Sequence, residues 1–216
     1  AIVNLLQLDG DERVTAIIPV AVFSEGQFLI MATKQGTIKK TSLMEYNNNR
    51  KTGLQAIALK DDDELIDVRL TDGERNIVMV TREGMSITFS ESDVRAMGRV
   101  SQGVRGIRLD EGDYVVGMEP IYDQTQCLLT ITENGFGKRT DISEYRVQSR
   151  DGKGVITYKI TPKTGKVVGI KVVKDEDEVM LITDTGILIR ISCKDISVLG
   201  RSTQGVTLIR SNDGGV

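Results

Sequence analysis

Short hydrophobic runs recur along the chain, and a glycine follows each of them. The four runs are FLIMAT (28–33), NIVMVT (76–81), CLLTIT (127–132) and VMLIT (179–183). Continuous apolar runs of this length are typical of buried β-strands. The glycine supplies the positive φ that a tight turn needs, and the segment beyond it alternates, as MSITFS (85–90) does. The pattern therefore predicts four β-hairpins.

Two sets of glycines keep the same spacing. The hairpin glycines are Gly36, Gly84, Gly135 and Gly186, which are separated by 48, 51 and 51 residues. A second set consists of Gly53, Gly103, Gly154 and Gly205, which are separated by 50, 51 and 51 residues. Two independent markers with one period indicate an internal repeat of about 50 residues.

Each repeat is predicted to contain four strands. An apolar residue ten positions after the hairpin glycine is expected to anchor a longer connection in the core; these anchors are Tyr46, Val94, Tyr145 and Ile196. Two further strands follow the second glycine, and the later one is represented by LIDVRL (65–70). A unit of this size cannot bury both of its faces alone, so neighbouring copies must pack together. The sequence therefore predicts an all-β, propeller-like fold of four-stranded blades.

The repeats set the expected domain organisation. We expect one domain over residues 1–216, with repeats near 27–75, 76–125, 126–177 and 178–216. Residues 1–26 resemble the second half of a repeat and would complete a preceding unit. The chain is therefore expected to be a fragment of a longer protein.

Composition narrows the possible chemistry. The 216 residues include no histidine, which excludes Ser-His-Asp and Cys-His catalysis and the zinc sites that use histidine. Cys127 and Cys193 lie far apart without a CxxC motif, so we expect two buried thiols. ENGFGKRT (133–140) lacks the first glycine and the hydroxyl residue of a P-loop, and the acidic runs lack the ligand order of a calcium loop. No apolar run is long enough for a membrane span, and we expect a cytoplasmic protein without membrane association.

Charge is distributed unevenly, although 28 basic residues nearly balance 31 acidic ones. Acidic residues cluster in turns, whereas basic residues recur in the second hairpin strand and on both sides of the second glycine. The candidate cations are Lys39, Lys40, Arg50, Lys51, Arg99, Arg105, Arg108, Lys138, Arg139, Arg150, Lys153, Lys159, Arg190, Arg201 and Arg210. Equivalent positions of radial repeats lie at equivalent places, so we expect a basic rim that holds the phosphates of duplex DNA without reading its bases.

Longer motifs connect these repeats to a known family. GVRGIRL (103–109), VRAMG (94–98), NGFGKRT (134–140) and GRSTQGV (200–206) closely resemble the C-terminal domains of DNA gyrase A subunits, and the resemblance covers essentially the whole chain. It implies a β-pinwheel, in which blades exchange strands and the basic rim wraps duplex DNA with positive handedness. It also implies a bacterial, nucleoid-associated protein that works with the remainder of the gyrase A subunit and with the gyrase B subunit.

The resemblance also sets expectations about catalysis. The parent enzyme of that family introduces negative supercoils with ATP and magnesium, and its DNA-cleaving tyrosine and ATPase lie outside this domain. We therefore expect no catalytic site, no metal and no cofactor in this chain. The basic, glycine-rich box of the family's first blade does not occur in these residues and is expected upstream of Ala1. Because that box distinguishes gyrase from topoisomerase IV, the equivalent domain of topoisomerase IV remains an alternative, as does a propeller that binds proteins.

Overall fold

This computed structural model describes residues 8, 12–48 and 53–210, and within those ranges every regular element is a β-strand or a single turn of 3-10 helix. The strands are β1 (Phe28–Thr33), β2 (Thr37–Ser42), β3 (Leu65–Thr71), β4 (Asn76–Thr81), β5 (Met85–Ser90), β6 (Val104–Arg105), β7 (Val115–Ile121), β8 (Cys127–Thr132), β9 (Phe136–Asp141), β10 (Val155–Ile156), β11 (Val167–Val173), β12 (Glu178–Ile182), β13 (Leu188–Ser192) and β14 (Val206–Thr207). The 3-10 turns are Leu43–Tyr46, Glu91–Asp93, Ile142–Glu144 and Cys193–Asp195. The predicted all-β class is confirmed.

The strands form three four-stranded antiparallel sheets and one terminal hairpin. Blade 1 has the order β3-β1-β2-β6, blade 2 the order β7-β4-β5-β10 and blade 3 the order β11-β8-β9-β14, and the terminal hairpin pairs β12 with β13. Each blade takes its last, two-residue strand from the following repeat. This strand exchange confirms the pinwheel arrangement that the family resemblance implies.

The two edges of each blade have different neighbours. Strands β3, β7 and β11 pack against one another from blade to blade, and we call them the inner strands. The exchanged strands β6, β10 and β14 occupy the opposite edge of each sheet, and we call this the outer edge. The outer edge also includes the segments just before the second glycine, which form bridges to β2, β5 and β9 at Ala96, Val147 and Val198.

The hairpin glycines allow the exchanged segment to approach closely. Gly84 has a φ of +80°, as the turn requires, and an added Cβ there would lie 2.6 Å from the carbonyl oxygen of Tyr158. The Thr157 N–H of the next repeat donates a hydrogen bond to the Gly84 carbonyl, at 2.8 Å. A side chain at Gly84 would therefore obstruct both the turn and the docking of the next repeat.

The hydrophobic core lies between neighbouring blades. Ile30 and Ile38 of blade 1 pack in one cluster with Met79 and Ile87 of blade 2. Equivalent clusters join blade 2 to blade 3 and blade 3 to the terminal hairpin. The predicted anchors Val94, Tyr145 and Ile196 are buried, as expected, whereas Tyr46 is half-buried. Side-by-side packing of the repeats thus provides the core that a single blade lacks.

A row of alternating charges links the inner strands. Glu119 on β7 is mostly buried and accepts hydrogen bonds from Arg69 Nη2 on β3 and from Lys171 Nζ on β11, both at 2.9 Å. These three residues occupy the same position in consecutive repeats. Asp67 lies beside Arg69, and burial raises the pKa of its carboxyl to about 6. The ion pairs therefore connect three blades at their inner edge.

Both cysteines are free and buried, as the sequence predicts. Burial raises the pKa of the Cys127 and Cys193 thiols. Among the residues that the structure describes, no helix has the length and apolar character needed to span a bilayer.

Candidate nucleic-acid interface

The outer edge collects the basic residues that flank the second glycine. Each of these segments docks on the blade before it: Arg105 pairs with Thr37 of β2, and Val155 pairs with Ser86 of β5. Residues near 99–108, 150–159 and 201–210 therefore follow the outer edges of blades 1, 2 and 3 respectively. Strand exchange thus brings the basic positions that flank the second glycine to the outer edges of the blades.

Six of the predicted cations have exposed side chains: Arg105, Arg108, Lys153, Lys159, Arg190 and Arg210. Three of them, Arg108, Lys159 and Arg210, occupy the position five residues after the second glycine in consecutive repeats. Their exposure on the outer edge agrees with the sequence prediction. Within the described part of the chain, the ammonium of Lys159 has neither a hydrogen-bond partner nor a salt bridge.

The arginines that precede the second glycine are only half-buried and also brace the fold. Arg150 Nη1 donates to the carbonyl of Arg105 at 3.1 Å, and Arg201 Nη1 donates to the carbonyl of Ile156 at 2.9 Å. These two contacts are equivalent and lie one repeat apart. Arg99 lies 4.0 Å from a carboxylate oxygen of Glu45. This set of three therefore combines structural contacts with partial exposure at the outer edge.

The cations of the second hairpin strand are not on the surface, and the prediction that they contribute to an exposed rim is wrong. Lys39, Lys40, Lys138 and Arg139 are 0%, 7%, 0% and 4% exposed. The exchanged strand pairs with the first two residues of β2 and β9, and the bridges Lys40–Ala96 and Arg139–Val198 cover the same edge further along. The second to fifth residues of both strands are all buried, so both faces of these strands are packed. Lys40 Nζ donates to the Glu91 carbonyl at 2.7 Å, and Arg139 Nε donates to the Ile196 carbonyl at 2.9 Å.

Two of these buried side chains hold an ammonium group in the blade interior. Lys39 Nζ donates to the carbonyls of Ala56 and Arg99, and Lys138 Nζ donates to those of Gly200 and Arg201, at 2.5–2.6 Å. Burial disfavours the charged form and lowers the pKa of both lysines to about 8. These groups already use their donors within the protein and are not available to phosphates.

Two further predicted cations, Arg50 and Lys51, lie outside the described residues. Conversely, sequence reasoning missed Arg95 and Arg146, which are exposed and have no side-chain partner among the described residues. Each follows its anchor, Val94 or Tyr145, directly. Arg95 and Arg146 are 51 residues apart, so the repeat spacing could have identified them. The equivalent positions in the other two repeats, however, are Asn47 and Ser197, which carry no charge.

Carboxylates are interspersed among the exposed cations. Asp151 Oδ1 accepts from Arg105 Nη1 at 3.3 Å and from Arg108 Nε at 3.0 Å, and Lys153 Nζ lies 2.6 Å from Asp110 Oδ1. Arg190 pairs with Glu178 on the terminal hairpin. The outer edge is thus a series of cations with local counter-anions rather than an uninterrupted basic belt. Exposed ion pairs of this kind are weak, so a phosphate can replace the carboxylate.

The remaining concave surface has a different character. A cleft of about 590 Å³ lies between blade 3 and the terminal hairpin, and aliphatic side chains such as Ile131, Ile170 and Leu181 line much of it. Within the described ranges, no three histidine, cysteine, aspartate or glutamate side chains cluster at metal-binding distances. The outer edge is therefore the candidate site, and its chemistry suits a polyanion.

Comparison with known proteins connects these features to one family. A family described as "DNA gyrase C-terminal domain, beta-propeller" matches residues 27–72, 75–121, 128–174 and 177–215. The DNA gyrase A subunit of Escherichia coli (strain K12) is 53% identical over 211 residues. That alignment covers 97% of this chain but only 24% of the relative, so the chain spans about a quarter of the relative's length.

Two solved structures have a closely similar backbone. The C-terminal domain of DNA topoisomerase IV matches with a TM-score of 0.92 at 30% identity, covering 99% of this chain and 67% of that one. The DNA gyrase A C-terminal domain matches with a TM-score of 0.90 at 26% identity, covering 99% and 72%. The backbone is thus similar to both, whereas the matching family and the 53% identical relative are both described as gyrase.

Proposed function

Since this chain belongs to the family of DNA gyrase C-terminal domains, we propose that it binds duplex DNA without sequence preference and wraps it around the outer edges of its blades. The observation that carries the proposal is the recurrence of an exposed cation at one position of three consecutive blades, namely Arg108, Lys159 and Arg210. Regularly spaced cations on successive blades match the regular phosphates of a duplex that follows them.

Backbone contacts explain both the lack of sequence preference and the wrapping. Arginine and lysine side chains neutralise phosphates and release counterions, but these contacts carry no sequence information. Bending a duplex costs free energy, and contacts to several blades in turn offset that cost. The acidic turn at 60–64 leads into the inner strand β3. Because salt screens charges beyond about 8–10 Å, a net charge of −3 does not prevent local binding.

In the intact type II topoisomerase, this wrapping would support ATP-dependent negative supercoiling. The domain would act together with the remainder of the gyrase A subunit and with the gyrase B subunit in the bacterial cytoplasm. Strand cleavage and ATP hydrolysis, with their magnesium, would belong to those other parts. The chain itself would contribute the geometry of the DNA path, and it would need no cofactor of its own for that role.

Ligation of a nicked plasmid in the presence of the purified chain tests the wrapping. The nick is sealed, the protein is removed, and the topoisomers are separated by electrophoresis. Wrapping with positive handedness should raise the mean linking number as protein is added. A variant with Arg108→Ala, Lys159→Ala and Arg210→Ala should reduce this shift, and Lys60→Ala, in an acidic turn, serves as the control. An unchanged linking number at saturating protein would contradict the proposal.

A further inference from the structure

Two buried lysines occupy the same position in blades 1 and 3. Lys39 on β2 and Lys138 on β9 each lie three residues after a hairpin glycine, and neither side chain is exposed. Each ammonium donates to a pair of backbone carbonyls at 2.5–2.6 Å, and Lys138 Nζ also donates to Thr203 Oγ1 at 3.1 Å. The same contact therefore occurs in two separate blades.

The shared acceptor is the carbonyl of an arginine from a later repeat. Lys39 binds the carbonyl of Arg99, and Lys138 binds that of Arg201. The two arginines belong to short turns, GRVS (98–101) and GRST (200–203), which we call the arginine loops. Each loop is closed by a hydrogen bond from its fourth N–H to its first carbonyl, at 3.2 Å and 3.3 Å. Each ammonium thus holds a compact turn by a carbonyl that faces the blade interior.

This arrangement determines where the arginine side chains lie. With the backbone carbonyl fixed inward, the side chain of each arginine stays at the outer edge, where Arg99 is 27% exposed. Arg201 extends along the exchanged segment and donates to the Ile156 carbonyl. The ammonium and the guanidinium therefore have separate partners: the ammonium binds loop carbonyls, whereas the guanidinium lies near Glu45 or donates to the Ile156 carbonyl.

Blade 2 indicates that the sheet itself does not require a lysine. Its equivalent residue is Ile87, which is fully buried in the core between blades 1 and 2. The backbone hydrogen bond from Gln148 N to the Thr88 carbonyl, at 2.9 Å, has equivalents in blades 1 and 3 and does not replace the lysine. The loop of blade 2 is held in addition by Arg150 Nε, which donates to the Asp93 carbonyl at 3.1 Å. Burying an ammonium costs free energy that burying an aliphatic side chain does not. The presence of a buried lysine in blades 1 and 3 therefore suggests a role in holding the arginine loops, which its ammonium contacts.

We propose that Lys39 and Lys138 are positioning residues for DNA binding, which hold the arginine loops so that Arg99 and Arg201 reach phosphates at the outer edges of blades 1 and 3. This inference rests on the proposed function. A lysine inside one blade thereby positions an arginine of a later repeat for contact with DNA. This is possible because strand exchange places the later repeat on the edge of that blade. The lysines themselves do not touch DNA.

A double-mutant cycle on Lys138 and Arg201 tests the proposal. Lys138→Met keeps the volume but removes the donors, and it should weaken binding of any duplex by about three- to tenfold, as the loss of one phosphate contact would. Arg201→Ala should cause a similar loss. If Lys138 acts through Arg201, the double variant binds no more weakly than the weaker single variant. Losses that multiply in the double variant would overturn the proposal.

Matched variants separate this role from general destabilisation. Ile87→Met changes the equivalent residue of blade 2 and should leave the affinity unchanged. Thermal unfolding identifies variants that remain folded at the assay temperature, and Lys39→Met with Arg99→Ala provides the same cycle in blade 1. Failure of both lysine variants to fold would mean that the lysines hold the sheet, which overturns the proposal. Absence of wild-type binding would instead reject the proposed function, and this inference with it.

Discussion

Arg108 and Asp151, which lie 43 residues apart, are joined at the outer edge by a 3.0 Å hydrogen bond from Nε to Oδ1. The same carboxylate oxygen also accepts from Arg105. Hydrogen bonding to the Arg108 guanidinium lowers the pKa of the Asp151 carboxyl and so favours its ionised form. The Asp151 carboxylate thus lies beside two arginines of the preceding repeat. A DNA phosphate could take the same place.

Removal of this counter-anion should strengthen DNA binding. Asp151→Asn keeps the shape of the side chain, and asparagine tolerates the observed φ of +67°. We expect the duplex affinity to rise by about two- to fivefold at low salt, because Arg105 and Arg108 no longer have to give up their ion pairs with Asp151 before they bind a phosphate. Fluorescence anisotropy measures the change. Asp61→Asn alters the net charge equally in an acidic turn, so an equal gain in that variant would contradict a specific role for Asp151.

The two arginines that follow the anchors should contribute to binding. Arg95→Ala and Arg146→Ala should each weaken binding of unrelated duplexes to the same extent and reduce the salt slope by about 1, as expected for one lost phosphate contact. Lys60→Ala removes an exposed cation from the turn that precedes the inner strand β3, and it should have little effect on DNA affinity. A loss that depends on DNA sequence would show base readout instead.

The buried lysines should titrate at unusually low pH. Their folded-state pKa of about 8 lies below the value of about 10.4 expected in the unfolded chain, so between these values the unfolded state binds more protons. Their contribution to the free energy of unfolding should therefore rise with pH through this window. Urea unfolding from pH 7 to 10 should show the wild type gaining stability relative to Lys39→Met/Lys138→Met. A constant difference across that range would contradict this prediction.

The inner row of charges should stabilise the packing between blades. Glu119→Gln removes the carboxylate that joins Arg69 to Lys171, and we expect the free energy of unfolding to fall by about 1.5–3 kcal/mol. Glu111→Gln, in the exposed turn that precedes β7, should change the free energy of unfolding by less than about 0.5 kcal/mol. Equal effects in urea denaturation would mean that the row has no specific role.

Local features of the fold could be predicted from the sequence. The runs 28–33, 76–81 and 127–132 coincide with β1, β4 and β8, because apolar continuity and a following glycine are local signals. The strand exchange depends on contacts about 70 residues apart, such as Val155 with Ser86, and hydrophobic periodicity alone does not specify it.

The candidate site, too, could be predicted only in part from the sequence. The spacing of Arg108, Lys159 and Arg210 predicts that they occupy equivalent places, and the structure shows that all three are exposed. Charge alone places Lys39 and Lys138 at the rim, but neighbouring residues of a strand point to opposite faces. Since Lys39 is followed by Lys40, at least one of that pair had to face inward. The counter-anion Asp151 reaches Arg108 only through the fold.

The salt dependence of duplex binding tests the central proposal most directly. Affinity for two duplexes of unrelated sequence is measured from 50 to 300 mM salt. With about four to eight phosphates neutralised along the outer edge, the plot of log affinity against log salt should have a slope of about −4 to −7 for both duplexes. Affinity that does not change with salt, or no binding at the lowest salt, would contradict a phosphate-binding outer edge.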